Sequence, residues 1–171
     1  MQMKRRIVVL LVIVMFTGFV SKAQNGKFQA VFIFNFYKQM EWPPEYSGSE
    51  FVIGILGKSD VKPMLETLTT SRSEGGKTRF VIKQYNSVNE IGKCNMLYVP
   101  SNESSQFNAV LSKLQGTSTL IITESDGLGG KGASVNFVKI NQRYRFELNE
   151  AAVRKSKILV SDMLKTLAIL I

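Results

Sequence analysis

The segment Phe28 to Pro43, FQAVFIFNFYKQMEWP, constrains the fold more than any other stretch of this chain. At helical period Phe28, Val31, Phe32, Phe36 and Met40 share one face, and Ala30, Ile33, Phe34 and Tyr37 form a second stripe beside it. Polar residues are confined to Gln29, Asn35, Lys38, Gln39 and Glu41. A helix apolar this far round is buried on two sides or docked to a partner, and a helix can use one stripe for each. Pro43 and Pro44 stop it, because proline cannot continue a helix and disfavours helix in the residue before it.

The residues ahead of this segment read as a secretory signal over residues 1–23. Lys4, Arg5 and Arg6 make a charged start, Ile7 to Val20 an apolar run, and Ser21-Lys22-Ala23 a small-residue cleavage site after Ala23. The apolar run is shorter than the ~20 residues of a spanning helix. The chain is therefore expected to reach the periplasm as a single domain over residues 24–171. The signal holds four of the 22 basic residues and none of the 13 acidic ones, which leaves the secreted part a net charge of +5. That mild excess suits a soluble surface, and would favour an acidic partner face or anionic headgroups.

Past the first helix, apolar strands alternate with helices. FVIGIL (Phe51 to Leu56), Arg79 to Tyr85, Met96 to Val99 and Thr119 to Thr123 read as strands. A helix is expected over Val61 to Leu68, capped by Asp60, with a polar loop from Thr69 to Lys77. A second is expected up to Leu114, capped by Ser104 or Ser105 and ended by Gly116. Val88 to Ile91 is a helical turn. Ala133 to Ile140 and Arg143 to Leu148 form a hairpin across Asn141-Gln142. From Asn149 the chain reads as helical, and Val160, Met163, Leu164, Leu167 and Ile171 share a face near its end. The order predicts an α/β fold: a single domain with a mixed β-sheet flanked by helices, a sandwich.

Catalytic chemistry finds little to work with. The chain has no histidine, hence neither the commonest general base nor the commonest metal ligand. Cys94 is the sole cysteine, so no intrachain disulfide forms. It reads as a buried small apolar residue at the head of a strand, although a free thiol can also cross-link two chains. Gly127 to Gly132 matches G-x-G-x-x-G in letters, but a strand-like ASVNFV follows where dinucleotide binding needs a helix, so the run reads as a flexible loop between strands. Glu124 and Asp126 read as solvated acids of that loop. No cofactor, metal or catalytic residue is expected. The basic residues Arg143, Arg145, Arg154, Lys155 and Lys157 cluster late in the chain, but an exported protein has little access to nucleic acid.

Four pieces of sequence carry a family resemblance: the helix ending in Glu41-Trp42-Pro43, the strand FVIGILG, the cysteine-led strand Cys94 to Val99, and the run from Gly127 through GASVNFV and RYRFELNEAAV to LVSDMLKTLA. In that order they resemble the YfiR-like family of small periplasmic proteins, over about residues 28 to 168. The resemblance implies an α/β sandwich and a signalling regulator rather than an enzyme. Its best-known member represses a membrane-bound diguanylate cyclase by binding its periplasmic part, under redox influence. It implies a partner in the extracytoplasmic region of an inner-membrane sensor or diguanylate cyclase, within cyclic-di-GMP signalling. With Cys94 alone this chain cannot form the intrachain disulfides tied to redox sensing in that member. Tyr37, Glu41 and Trp42, at the end of the matched helix, are the candidate partner-binding residues. The alternative reading is a periplasmic module that binds a small apolar or acidic molecule, suggested by the aromatic content of the first helix. A homodimer is also possible, given the apolar surplus and the free thiol.

Overall fold

The computed structural model describes residues 26–73 and 78–171. The signal expected over residues 1–23 lies outside the described residues. Helix α1 covers residues 26–39. The chain continues through β1 (Met40–Glu41), β2 (Glu50–Leu56), α2 (Val61–Ser73), β3 (Arg79–Tyr85), β4 (Met96–Val99) and α3 (Phe107–Lys113). It ends with β5 (Leu120–Thr123), β6 (Val135–Ile140), β7 (Arg143–Leu148), α4 (Glu150–Lys155), β8 (Leu159–Val160), α5 (Asp162–Leu167) and β9 (Ile169–Leu170). The main sheet has the order β3-β2-β4-β5-β6-β7-β9, and β1 pairs separately with β8. Strands β3, β2, β4, β5 and β6 are mutually parallel, and β7 returns antiparallel to β6. The expected mixed sheet flanked by helices is what the chain forms.

Strand alternation divides the core into two layers. Ile53 and Ile55 of β2, Met96 and Tyr98 of β4, and Leu120 and Ile122 of β5 face α1 and α2, where Ala30, Ile33, Phe36, Val61 and Leu65 meet them. Leu56, Leu97, Val99 and Ile121 face the other way, onto Phe107, Val110 and Leu114 at α3. Cys94 belongs to this second layer and is 1% exposed. The folded chain therefore cannot use it to cross-link a partner.

Several local expectations are corrected. The first helix stops at residue 39, and Met40 and Glu41 pair with Val160 and Leu159 as strand. On α1, Val31 is exposed and Gln29 is buried, the reverse of their polarity. α2 runs on to Ser73, and Ser59 Oγ, not Asp60, accepts from its first backbone N–H. The run Ser101–Gln106 is a 3-10 helix leading into α3, so neither Ser104 nor Ser105 caps it. The glycine-rich loop is packed rather than flexible: Leu128 is buried, and Asn149 Nδ2 donates to the Gly129 carbonyl at 2.9 Å. Glu124 is half-buried and bonded on both oxygens, accepting from the Ser101 backbone N–H at 2.8 Å and from Gln29 Nε2.

The end of the chain departs furthest from its expected continuous helix. Asn149 Oδ1 caps α4 by accepting from Ala152 N–H, and Lys157 then takes a left-handed φ of 56° that breaks the helix. Strand β8 follows, and Ser161 restarts the chain as α5. Its Oγ accepts from Leu164 N–H at 3.2 Å and donates to Gln39 Oε1 at 2.7 Å, and its N–H donates to the Gln39 carbonyl. One serine thus caps a helix and ties it to the last turn of α1. Ser161→Ala is expected to lower stability by about 1–2 kcal/mol, as loss of a cap does. Chemical denaturation of the two proteins at equal pH measures it, and an unchanged midpoint would mean that this junction contributes nothing.

Candidate functional site

The candidate residues Tyr37, Glu41 and Trp42 come together at the corner where α1 ends and β1 begins. Tyr37 and Trp42 are half-buried, and each has its polar atom satisfied. Tyr37 Oη donates to Thr78 Oγ1 at 3.1 Å, with its ring edge-on to Phe51 and Phe80 at 4.8 and 4.7 Å between centroids. Trp42 Nε1 donates to the Asn95 carbonyl at 3.1 Å, and its ring stands at 87° to Phe51. Asn95 is itself held on both ends of its amide, accepting from Val52 N–H and donating to the Tyr46 carbonyl. The aromatic pair is therefore a fixed floor, and above it opens a concavity of about 420 Å³ walled by Glu41, Tyr46, Ser47 and Thr78.

Glu41 differs from its two neighbours because it is exposed. It sits in β1 directly across from Leu159 of β8. Leu159 is 67% exposed, and the helix that follows presents Met163 at 66% and Leu167 at 55%. Met163 and Leu167 are four residues apart and share one side of α5. Leu170 and Ile171 extend the exposed apolar run to the end of β9. Scattered apolar residues at a surface are ordinary, but here five large ones fall within thirteen residues. The sequence pattern puts Met163, Leu167 and Ile171 on a shared face of one continuous helix, which the structure breaks into β8, α5 and β9. The signal that would have corrected it is Ser161-Asp162, a cap followed by an acidic first turn inside the supposed helix.

Among the described residues no group of histidine, cysteine, aspartate or glutamate side chains could hold a metal ion, and no helix is long and apolar enough to cross a membrane.

Among solved structures the chain is similar to one described as the ABC domain in complex with L-Trp from Streptococcus pneumonia. The TM-score is 0.52 at 17% identity, over 70% of this chain and 54% of that one. At that identity the likeness is one of fold, and this chain spans about half of that protein's length. No curated protein matches the chain. The family model described as YfiR/HmsC-like matches residues 26–169, which takes in every helix and nearly every strand described above. The chain belongs to the YfiR/HmsC-like family.

Proposed function

We propose that this protein is a periplasmic repressor that binds the extracytoplasmic region of an inner-membrane sensor or diguanylate cyclase, and that β1, β8 and α5 supply the contact surface. Family membership supports the coarser part of this reading, a periplasmic regulator of cyclic-di-GMP signalling. The observation that carries the finer part is the exposed apolar run Leu159, Met163 and Leu167, rimmed by Glu41. Interfaces favour methionine and aromatic anchors surrounded by polar residues, and Met163 is such an anchor on this strip. The acidic Glu41 beside an apolar strip gives a partner both a charge to pair and area to bury. The reading needs no catalytic residue.

Cross-linking in intact cells, with the full chain expressed under its own signal and tagged at its C-terminus, tests this. Wild type is expected to capture one inner-membrane sensor or cyclase. Met163→Asp combined with Leu167→Asp is expected to reduce that capture by about tenfold or more, since hot-spot truncations cost 2 kcal/mol or more. Both side chains are exposed, so an unchanged melting curve should accompany the loss. Undiminished capture by the double variant would reject this surface, and capture of no membrane protein by periplasmic, folded wild type would reject the reading.

A further inference from the structure

The parallel part of the sheet has the order β3-β2-β4-β5-β6. From β2 the chain moves outward to β3, then returns to the other side of β2 as β4. Between β2 and β4 the connections diverge, and in an open parallel sheet that divergence leaves a crevice beyond the carboxyl ends of the strands. A crevice of about 390 Å³ lies there, between the loops after β2, β4 and β5 and the first turn of α1. That volume falls at the small end of ordinary ligand pockets, roughly 300–1,000 Å³.

Tyr98 of β4 forms part of its wall. Its side chain is fully buried, and its hydroxyl has no hydrogen-bond partner. Ser59 and Glu124 flank the hydroxyl closely enough to perturb its ionisation, yet neither is aligned to bond it. Ser59 Oγ accepts from Val61 N–H, and the Glu124 oxygens accept from Gln29 Nε2 and the Ser101 N–H. Burial, reinforced by the Glu124 carboxylate, raises the ionisation of the phenol far above its ordinary range, so it stays a donor at every physiological pH. An orphaned buried hydroxyl costs free energy that a bound acceptor would recover.

The remaining lining groups narrow the chemistry. Asp60 and Lys58 are exposed at the mouth, and Asn102 faces them from the loop after β4. Two carboxylates against one ammonium disfavour a phosphate or a carboxylate ligand. The lining combines donors (Tyr98, Lys58) with a free acceptor (Asp60) and an amide that is both (Asn102). A ligand hydroxyl matches this pattern, since it accepts from a phenol and donates to a carboxylate at once. We propose that the crevice is a binding site for a neutral saccharide of one or two rings, with one hydroxyl accepting from Tyr98 and another donating to Asp60. The site is independent of the partner surface. The crevice lies at the first turn of α1 and the β1–β8 corner at its last, about 20 Å apart along a helix of this length.

Calorimetric titration of the mature chain with D-glucose, D-galactose and maltose, and with glucose 6-phosphate and putrescine as charged comparators, tests the proposal. At least one of the three sugars is expected to bind saturably. Asp60→Asn alters an exposed group and should melt with wild type, while Tyr98→Phe keeps the ring volume and removes the unpaired hydroxyl, so it should melt at or above wild type. Each is expected to weaken sugar binding about tenfold, the loss that follows from one hydrogen bond at a charged or buried group. Three results would overturn it: no saturable binding by any of the three sugars up to ~10 mM, a concentration that reaches even weak millimolar sites; binding indifferent to both substitutions; or preference for either charged comparator.

Discussion

Phe36→Ala is expected to destabilise the protein by about 3–5 kcal/mol, the range for deleting a fully buried aromatic side chain. Phe36 has no exposed surface. It lies stacked with Phe137 at 6.1 Å and 21°, edge-on to Phe146 at 5.3 Å, and 6.3 Å from Phe32. Phe137 and Phe146 face each other across the β6–β7 hairpin, so this one ring joins α1 to both strands. Its removal leaves a void in a layer whose neighbours are held by the sheet and cannot collapse inward. A domain of ordinary stability, about 5–15 kcal/mol, would lose about a fifth or more of it. Phe28 is the comparator. It joins the same cluster, against Phe32, Phe137 and Tyr144, but is only half-buried. Urea denaturation followed by circular dichroism should show a clearly larger loss for Phe36→Ala than for Phe28→Ala, with an unchanged denaturant slope. Equal losses would mean that the aromatic cluster is not the centre of the fold.

What could be read from the sequence was what neighbours in the chain determine. FVIGIL, MLYV and the hairpin across Asn141-Gln142 hold because apolar runs and a two-residue turn act locally; both turn residues adopt the positive φ that such turns require. The aromatic stripe of α1 was legible for the same reason. The C-terminal region was not. Val160, Leu164, Leu167 and Ile171 fit a helical period, yet β8 is claimed by β1 about 120 residues earlier, and β9 by β7. Those pairings are long-range and leave no mark on local periodicity. The candidate site was half legible for a related reason. Glu41-Trp42-Pro43 marks the corner, whereas Leu159 arrives there only by strand pairing. Glu124 was misplaced as a solvated acid because its partners, Gln29 and Ser101, come from distant parts of the chain. The crevice beside it is invisible until strand order is known, since only the order shows where the connections diverge.

Stability is expected to fall steeply as pH rises above about 9, and Cys94 is the first cause. Burial pushes its thiol from an ordinary 9.0 up to about 12, against smaller opposing effects of Thr119 and Lys83. The unfolded chain therefore releases this proton near pH 9 while the folded chain keeps it. Between those two values the unfolded state binds fewer protons, and each pH unit removes about 1.4 kcal/mol of stability. The contribution is fully present below the unfolded value and is lost progressively toward the folded one, to a total on the order of 4 kcal/mol. Tyr98 and Tyr85 are raised from 10.0, chiefly by burial, and act in the same direction at higher pH. Denaturation midpoints at intervals between about pH 8 and 11 separate the causes by where each slope begins. Cys94→Ala should flatten the curve from about pH 9 upward, and Tyr98→Phe should flatten it only above about 10. A Cys94→Ala curve parallel to wild type would show that the thiol titrates alike in both states. The same burial bears on control of the protein: at pH 8 a group titrating near 12 is ionised in about one molecule in ten thousand. A folded chain with so little thiolate is a poor target for oxidants. Redox control through Cys94 would need an unfolding step that exposes the buried thiol.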